Sequence, residues 1–192
     1  MHVEFLQVDG GKMSKSLNNI YTINQLVEKG YSPLDFRYLN LLTHYRKSLN
    51  FTFDALNSAK TALKSLKNIV LEHKNSNHHI DSAKLETYKK EFSEAIADDL
   101  NMPLALGILW KMVKEVERSV EVYQMALDFD KVLSLDLDKQ DEIPENIKKL
   151  ADERLDARKN KDWALSDKLR DEIQSLGYQI KDSKDGYEIT KI

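Results

Sequence analysis

The sequence predicts a mainly α protein, an antiparallel helical bundle preceded by a strand–loop–helix segment and followed by a helical hairpin with a small β-hairpin. Three observations predict it. Apolar residues recur at alternating spacings of three and four over long stretches between 53 and 133. Helix-starting residues (Thr22, Ser32-Pro33, Pro103, Pro144, Asp162) and helix-ending glycines (Gly30, Gly177) bracket periodic stretches. Strict apolar alternation is confined to the two ends of the chain.

Taken in order, His2 to Val8 is a strand that delivers the chain to a turn at Asp9-Gly10-Gly11. A lone strand is not stable, so its sheet partners are expected from elsewhere, and the sequence is expected to begin inside a larger domain. After the loop Gly11 to Asn19, Thr22 caps a short helix, 23–29, which Gly30 closes. Ser32-Pro33 starts the next, whose buried face is Leu34, Tyr38, Leu41 and Leu42. Leu56, Ala59, Leu63, Leu66 and Val70 give one stripe on a long helix over 53–73; a second helix spans 83–99, a third follows Pro103, and a fourth runs through Tyr123, Leu127 and Leu133. The stretch 135–142 is acidic and lacks periodicity, which suggests a linker. Pro144 and Asp162 then open the two helices of a hairpin, and Tyr178-Gln179-Ile180 and Tyr187-Glu188-Ile189 alternate around a turn. The expected domains are therefore 1–50, 51–134 for the bundle, a linker at 135–143, and 144–192.

Composition bounds the function. Charged residues are abundant but balanced, at a formal net charge of −3 over 192 residues, so any contact with nucleic acid must rely on local patches. Cysteine is absent, which excludes disulfides and thiolate metal sites within these residues and fits a cytoplasmic protein. The five histidines have no metal-ligand spacing, and His78-His79 is expected as an exposed turn. No apolar run reaches membrane-spanning length, and the first residues carry no signal-peptide pattern.

The stretch richest in chemistry is Gly11-Lys12-Met13-Ser14-Lys15-Ser16-Leu17-Asn18-Asn19. Lysine ammonium groups on flexible stems can follow charge as it develops on a phosphoryl group, and hydroxyls and backbone N–H groups can fix its oxygens. That pattern suits a polyphosphate; its bland alternative is a solvated basic turn.

The pentamer Lys12-Met13-Ser14-Lys15-Ser16 resembles the signature loop of class I aminoacyl-tRNA synthetases. Three further stretches resemble the cysteinyl-tRNA synthetase family in particular: His44-Tyr45-Arg46-Lys47-Ser48-Leu49-Asn50-Phe51, the run Phe92 through Asp98-Asp99-Leu100-Asn101-Met102-Pro103, and Arg154-Leu155-Asp156-Ala157-Arg158-Lys159-Asn160-Lys161-Asp162-Trp163-Ala164 continuing to Glu172. The resemblance covers essentially the whole chain. It implies an anticodon-binding type of bundle and a reaction in which cysteine attacks the α-phosphate of ATP, bound with Mg, before transfer of the aminoacyl group to tRNA-Cys. It implies Lys15 as the catalytic residue, with Lys12, Met13, Ser14 and Ser16 completing an ATP-contacting lid. It implies Arg158, Asp167 and Asp182 as RNA-binding residues, with Lys148, Lys149, Lys159, Lys161 and Lys168 on phosphates. Without the resemblance, Arg158 and Asp167 read as helix-surface ion-pair partners.

The family's nucleotide-binding fold, its His-Ile-Gly-His motif and its zinc ligands have no counterpart in these residues, so they are expected upstream, with the chain inactive alone and monomeric. Two departures stand out: Asn18 replaces the family's usual glycine, and Ile189-Thr190-Lys191 replaces its Trp- and Arg-bearing tail. Two alternatives remain: a noncatalytic tRNA-binding module, and a cysteine-activating ligase that acts on a sugar amine.

Overall fold

The computed structural model describes residues 4, 6–14, 16–17, 19–139, 143–183 and 186–191. They fall into two compact units, Met1–Gln140 and Asp141–Ile192.

The first unit opens with β1 (Leu6–Val8), which turns through Asp9 and Gly10 into β2 (Gly11–Lys12). Both turn residues have positive φ, 50° and 76°, a conformation that glycine adopts without strain and aspartate tolerates. β1 does not wait for a partner outside the chain. It lies between antiparallel β2 and a parallel strand, β3 (Leu49–Phe51), in register Leu6↔Leu49, Gln7↔Asn50 and Val8↔Phe51. This corrects the expectation of a lone strand: three residues are too few to show a period, and their partner is forty residues away in sequence.

Side chains that replace missing backbone partners set the helix starts. Thr22 and Gln25 form a reciprocal capping box before α1 (Ile23–Glu28), and Ser32 and Asp35 form another before α2 (Pro33–Leu41). Thr52 caps α3 (Phe53–Lys74), whose Leu56, Ala59, Leu63, Leu66 and Val70 are all buried. A 3-10 turn at Ser82–Leu85 leads into α4 (Glu86–Ala97). Asn101 caps α5 (Met102–Glu115) and Ser119 caps α6 (Val120–Leu133). The core gathers the inner faces of α2 to α6, with Phe92 and Phe129 stacked at 3.9 Å.

Two polar features pin the bundle from inside. His73, 1% exposed, accepts the Ser119 N–H on Nδ1 (3.1 Å), so its proton sits on Nε2, which donates to the Val113 carbonyl (3.0 Å). Asp130 accepts the backbone N–H groups of Leu135 (2.7 Å) and Leu137 (2.9 Å), and both leucines are fully buried. The start of the acidic stretch read as linker therefore packs on the bundle, because one carboxylate satisfies the backbone donors that its two leucines carry inward.

The second unit consists of α7 (Glu145–Lys159), α8 (Trp163–Ser175) and an antiparallel hairpin, β4 (Tyr178–Ser183) with β5 (Gly186–Lys191). Asp162 caps α8, and Gly177, at φ 83°, turns the chain into β4. Its core is small, centred on Ile147, Ala151, Ile173 and Ile180.

Candidate functional site

The loop after β2 is closed by one side chain. Asn19 accepts the Ser14 N–H (2.8 Å) and donates to the Lys12 carbonyl (3.1 Å), so the segment leaves and returns at one point. Below, Gly10 N–H donates to Asn50 Oδ1 (2.8 Å) and Asp9 N–H to the Phe51 carbonyl (3.0 Å), tying the turn to β3. Met13 packs on the bundle core. Ser14 Oγ lies 3.1 Å from Ser16 Oγ and accepts the Leu17 N–H (3.3 Å), while Lys12 stays exposed. Two adjacent hydroxyls and an exposed ammonium fit phosphate oxygens. Lys15 and Asn18 lie outside the described residues.

A second constellation belongs to the terminal unit. Ile147, Ala151, Arg154 and Ala157 form the buried stripe of α7, so its periodicity carries an arginine into the core. Arg154 Nη1 donates to Asp182 Oδ1 (2.8 Å), and its Nη2 to Oδ2 (3.4 Å). Arg158 Nη2 stands 3.2 Å from the same Oδ2. Along β4, Asp182 lies two residues beyond buried Ile180 and so emerges at the rim of that core on the same sheet face. The Arg154 guanidinium holds the Asp182 carboxyl below the usual carboxylate range, against an opposing effect of burial, so at neutral pH the group is ionised and accepts hydrogen bonds without donating any. Arg154 Nε is buried without a partner among the described residues, an arrangement that costs about 1–3 kcal/mol.

Of the residues expected on RNA, Arg158 and Asp182 are thus in direct contact. Asp167 stands apart on α8 in an i,i+3 pair with Arg170 (3.1 Å), and Arg170 in turn acts on Asp182 through space. Arg158 also lies over the ring of Trp163, 5.6 Å from its centroid, and that ring is 56% exposed. Lys148, Lys149, Lys159, Lys161 and Lys168 are exposed, with Lys159 paired to Asp156 (3.0 Å). Sequence reasoning assigned no part to Arg154, Trp163 or Asn19. Arg154 was findable, since it falls in register with Ile147 and Ala151; Asn19 offered no such signal.

His78 and His79, in the first unit, are exposed and face Glu117 (3.3 Å) and Glu121 (2.8 Å). No group of three or more His, Cys, Asp or Glu able to hold a metal occurs among the described residues. Among them, too, no helix is long and apolar enough to cross a membrane.

Residues 1–61 match the family described as tRNA synthetases class I (C) catalytic domain, and residues 140–189 the cysteinyl-tRNA ligase anticodon binding domain. Over its whole length the chain is similar, at 36% identity, to a cysteine–tRNA ligase of Chlamydia caviae. The chain belongs to the cysteinyl-tRNA synthetase family. Residues 91–153 match the DALR domain as well. Cysteine–tRNA ligases of Leptospira interrogans, 37% identical over 97% of the chain, and Opitutus terrae, 40% identical over 98%, are further relatives. The chain spans 44% of the length of the Chlamydia and Leptospira proteins and 40% of the Opitutus protein. In this member of the cysteinyl-tRNA synthetase family, the stapled loop falls in the catalytic-domain match, and Arg154, Arg158, Asp167 and Asp182 fall in the anticodon-binding match.

Proposed function

We propose that the chain supplies a cysteine–tRNA ligase with its phosphate-handling loop and with the surface that reads the anticodon of tRNA-Cys. The reading rests above all on Arg158 and Asp182, which meet at the rim of the terminal unit beside the exposed Trp163 ring, within the stretch that matches an anticodon-binding family. An ionised carboxylate accepts from the exocyclic amino groups or the Watson–Crick edge of a guanine, and a guanidinium donates to guanine O6 and N7. Such edges are free only on unpaired bases, as in an anticodon loop. Asp167 is assigned a further base contact, and the exposed lysines phosphate contacts that hold register without reading sequence.

At the loop, ATP with its magnesium ion supplies the activated phosphate when bound. Lys12, Ser14 and Ser16 hold phosphate oxygens, and Met13 anchors the loop to the bundle. Lys15 meets negative charge as it shifts toward the leaving pyrophosphate, and so favours the transition state over the ground state. The chain acts in the cytoplasm as a monomer joined to the family's upstream catalytic domain, and alone it does not aminoacylate.

Titration of the chain with tRNA-Cys and with the same tRNA altered in its anticodon, at two salt concentrations, tests the proposal. At least tenfold weaker binding of the altered tRNA, about 1.4 kcal/mol, is expected. Equal binding of both, abolished by salt, would mark a phosphate-binding surface only and overturn it. In the full-length enzyme, Lys15→Ala is expected to slow adenylate formation much more than it weakens ATP binding; equal losses would mean plain ground-state binding.

A further inference from the structure

We propose that Arg154 is the positioning residue of the anticodon-reading surface: buried beneath Asp182, it fixes that carboxylate and thereby leaves Arg158 free to move onto RNA. The inference rests on the anticodon-reading function proposed above and adds a residue that cannot itself touch the ligand.

The burial of the three side chains carries the argument. Arg154 is 4% exposed, Arg158 36% and Asp182 42%. Arg154 therefore lies on the protein side of the carboxylate, and RNA can approach only from the other side. Its two Nη atoms take both carboxylate oxygens, a fork that sets the plane of the carboxylate as well as its position. Arg158 adds a single contact to one oxygen that is already held. Two guanidiniums on one carboxylate leave one positive charge in surplus. When Arg158 rotates toward a base or a phosphate, Asp182 keeps its inner partner and no buried charge is stranded. Were Arg154 absent, Arg158 would be the carboxylate's chief partner, and its departure would leave Asp182 to reorient.

The Nη pair is the arginine's whole hydrogen-bonding role here, since its Nε is buried and unpartnered among the described residues. A lysine at 154 would preserve the charge but not the fork. It would let the Asp182 carboxylate rotate without removing it.

The test compares R154K, D182N and R158A in the whole chain, measuring Kd for tRNA-Cys and for an anticodon-altered tRNA, with circular dichroism to confirm folding. The ratio of the two Kd values is read because loss of folded protein lowers both affinities and leaves their ratio in place. D182N and R154K are each expected to shrink that ratio about tenfold, with R154K changing affinity for the altered tRNA less than about threefold. If D182N shrinks the ratio and R154K leaves it unchanged, the role of Arg154 is refuted while anticodon reading stands. If R154K shrinks it and D182N does not, Arg154 acts elsewhere and the proposal fails. If none of the three variants changes it, neither Asp182 nor Arg154 takes part in discrimination and the proposal fails, while anticodon reading is judged by the ratio of the unaltered chain alone. Should R154K not fold, arginine side-chain NMR of the unmodified chain decides: on addition of tRNA-Cys the Arg158 guanidinium signals are expected to shift while those of Arg154 stay in place. Movement of both, or of neither, overturns the proposal.

Discussion

Single residues set both the tolerance of the bundle to substitution and its response to pH. His73 joins α3 to α5 at the Val113 carbonyl and to the start of α6 at the Ser119 N–H, so His73→Ala leaves that buried N–H without its acceptor. The expected loss is about 1–3 kcal/mol for that donor, plus the packing of the ring, read as a lowered midpoint in chemical denaturation. Glu121 contributes to stability toward acid. His79, the Ile80 N–H and its own backbone N–H draw its carboxyl down from 4.5 to about 2. A depressed carboxyl lends stability fully above its unfolded value, and that contribution drains as pH falls from about 4.5 to about 2. Glu121→Gln should therefore be the less stable protein at pH 6, with the gap to the unaltered chain closing across that window. Tyr187 contributes to the alkaline response of the terminal unit. Its O–H donates to Asp152, which pushes its ionisation up to about 12. The support it gives is present below pH 10 and is lost between about 10 and 12, so Tyr187→Phe should flatten that part of an alkaline unfolding curve.

Elements form where local signals agree, and this decides what was legible. The helices were readable because caps and periodicity mark the same bounds: Thr22 with Gln25, Ser32 with Asp35, and Asp162 before α8. β3 was not readable, since Leu49–Phe51 is held by a parallel pairing with β1 and by nothing local. The burial of Leu135 and Leu137 was hidden for a similar reason, because Asp130 satisfies their N–H groups from a preceding helix. At the candidate site, the family resemblance alone pointed to Arg158 and Asp182, and no spacing rule tells that β4 lays Asp182 on Arg154. The Asn19 bridge gives a direct element-scale test. Asn19→Ala should raise hydrogen-exchange rates at the Ser14 amide while those within β1 stay slow, since the β1 pairings do not involve Asn19.

At the scale of the molecule, the two units have unequal means of staying folded. The first buries the facing sides of five helices, whereas the second rests on a cluster centred, among the described residues, on Ile147, Ala151, Ile173 and Ile180, and on a hairpin. Thermal unfolding should accordingly show two transitions, the lower one belonging to the terminal unit, and Asp162→Ala should move that lower transition alone, by about 1 kcal/mol of lost capping. A single transition shifted by the substitution would mean that the units unfold together. The net charge of −3 has a molecular consequence as well: no strong net field draws RNA in, so binding should depend on the local lysines and weaken as salt rises, with a slope set by the number of phosphates they neutralise. The Arg154–Asp182 contact, finally, limits how such a protein can change over generations. On the anticodon-reading role proposed above, replacing Asp182 alone strands the Arg154 charge in the smaller of the two cores, and replacing Arg154 alone unsettles the surface that discriminates. A designer who wants such a surface to accept another anticodon would therefore randomise the two positions together.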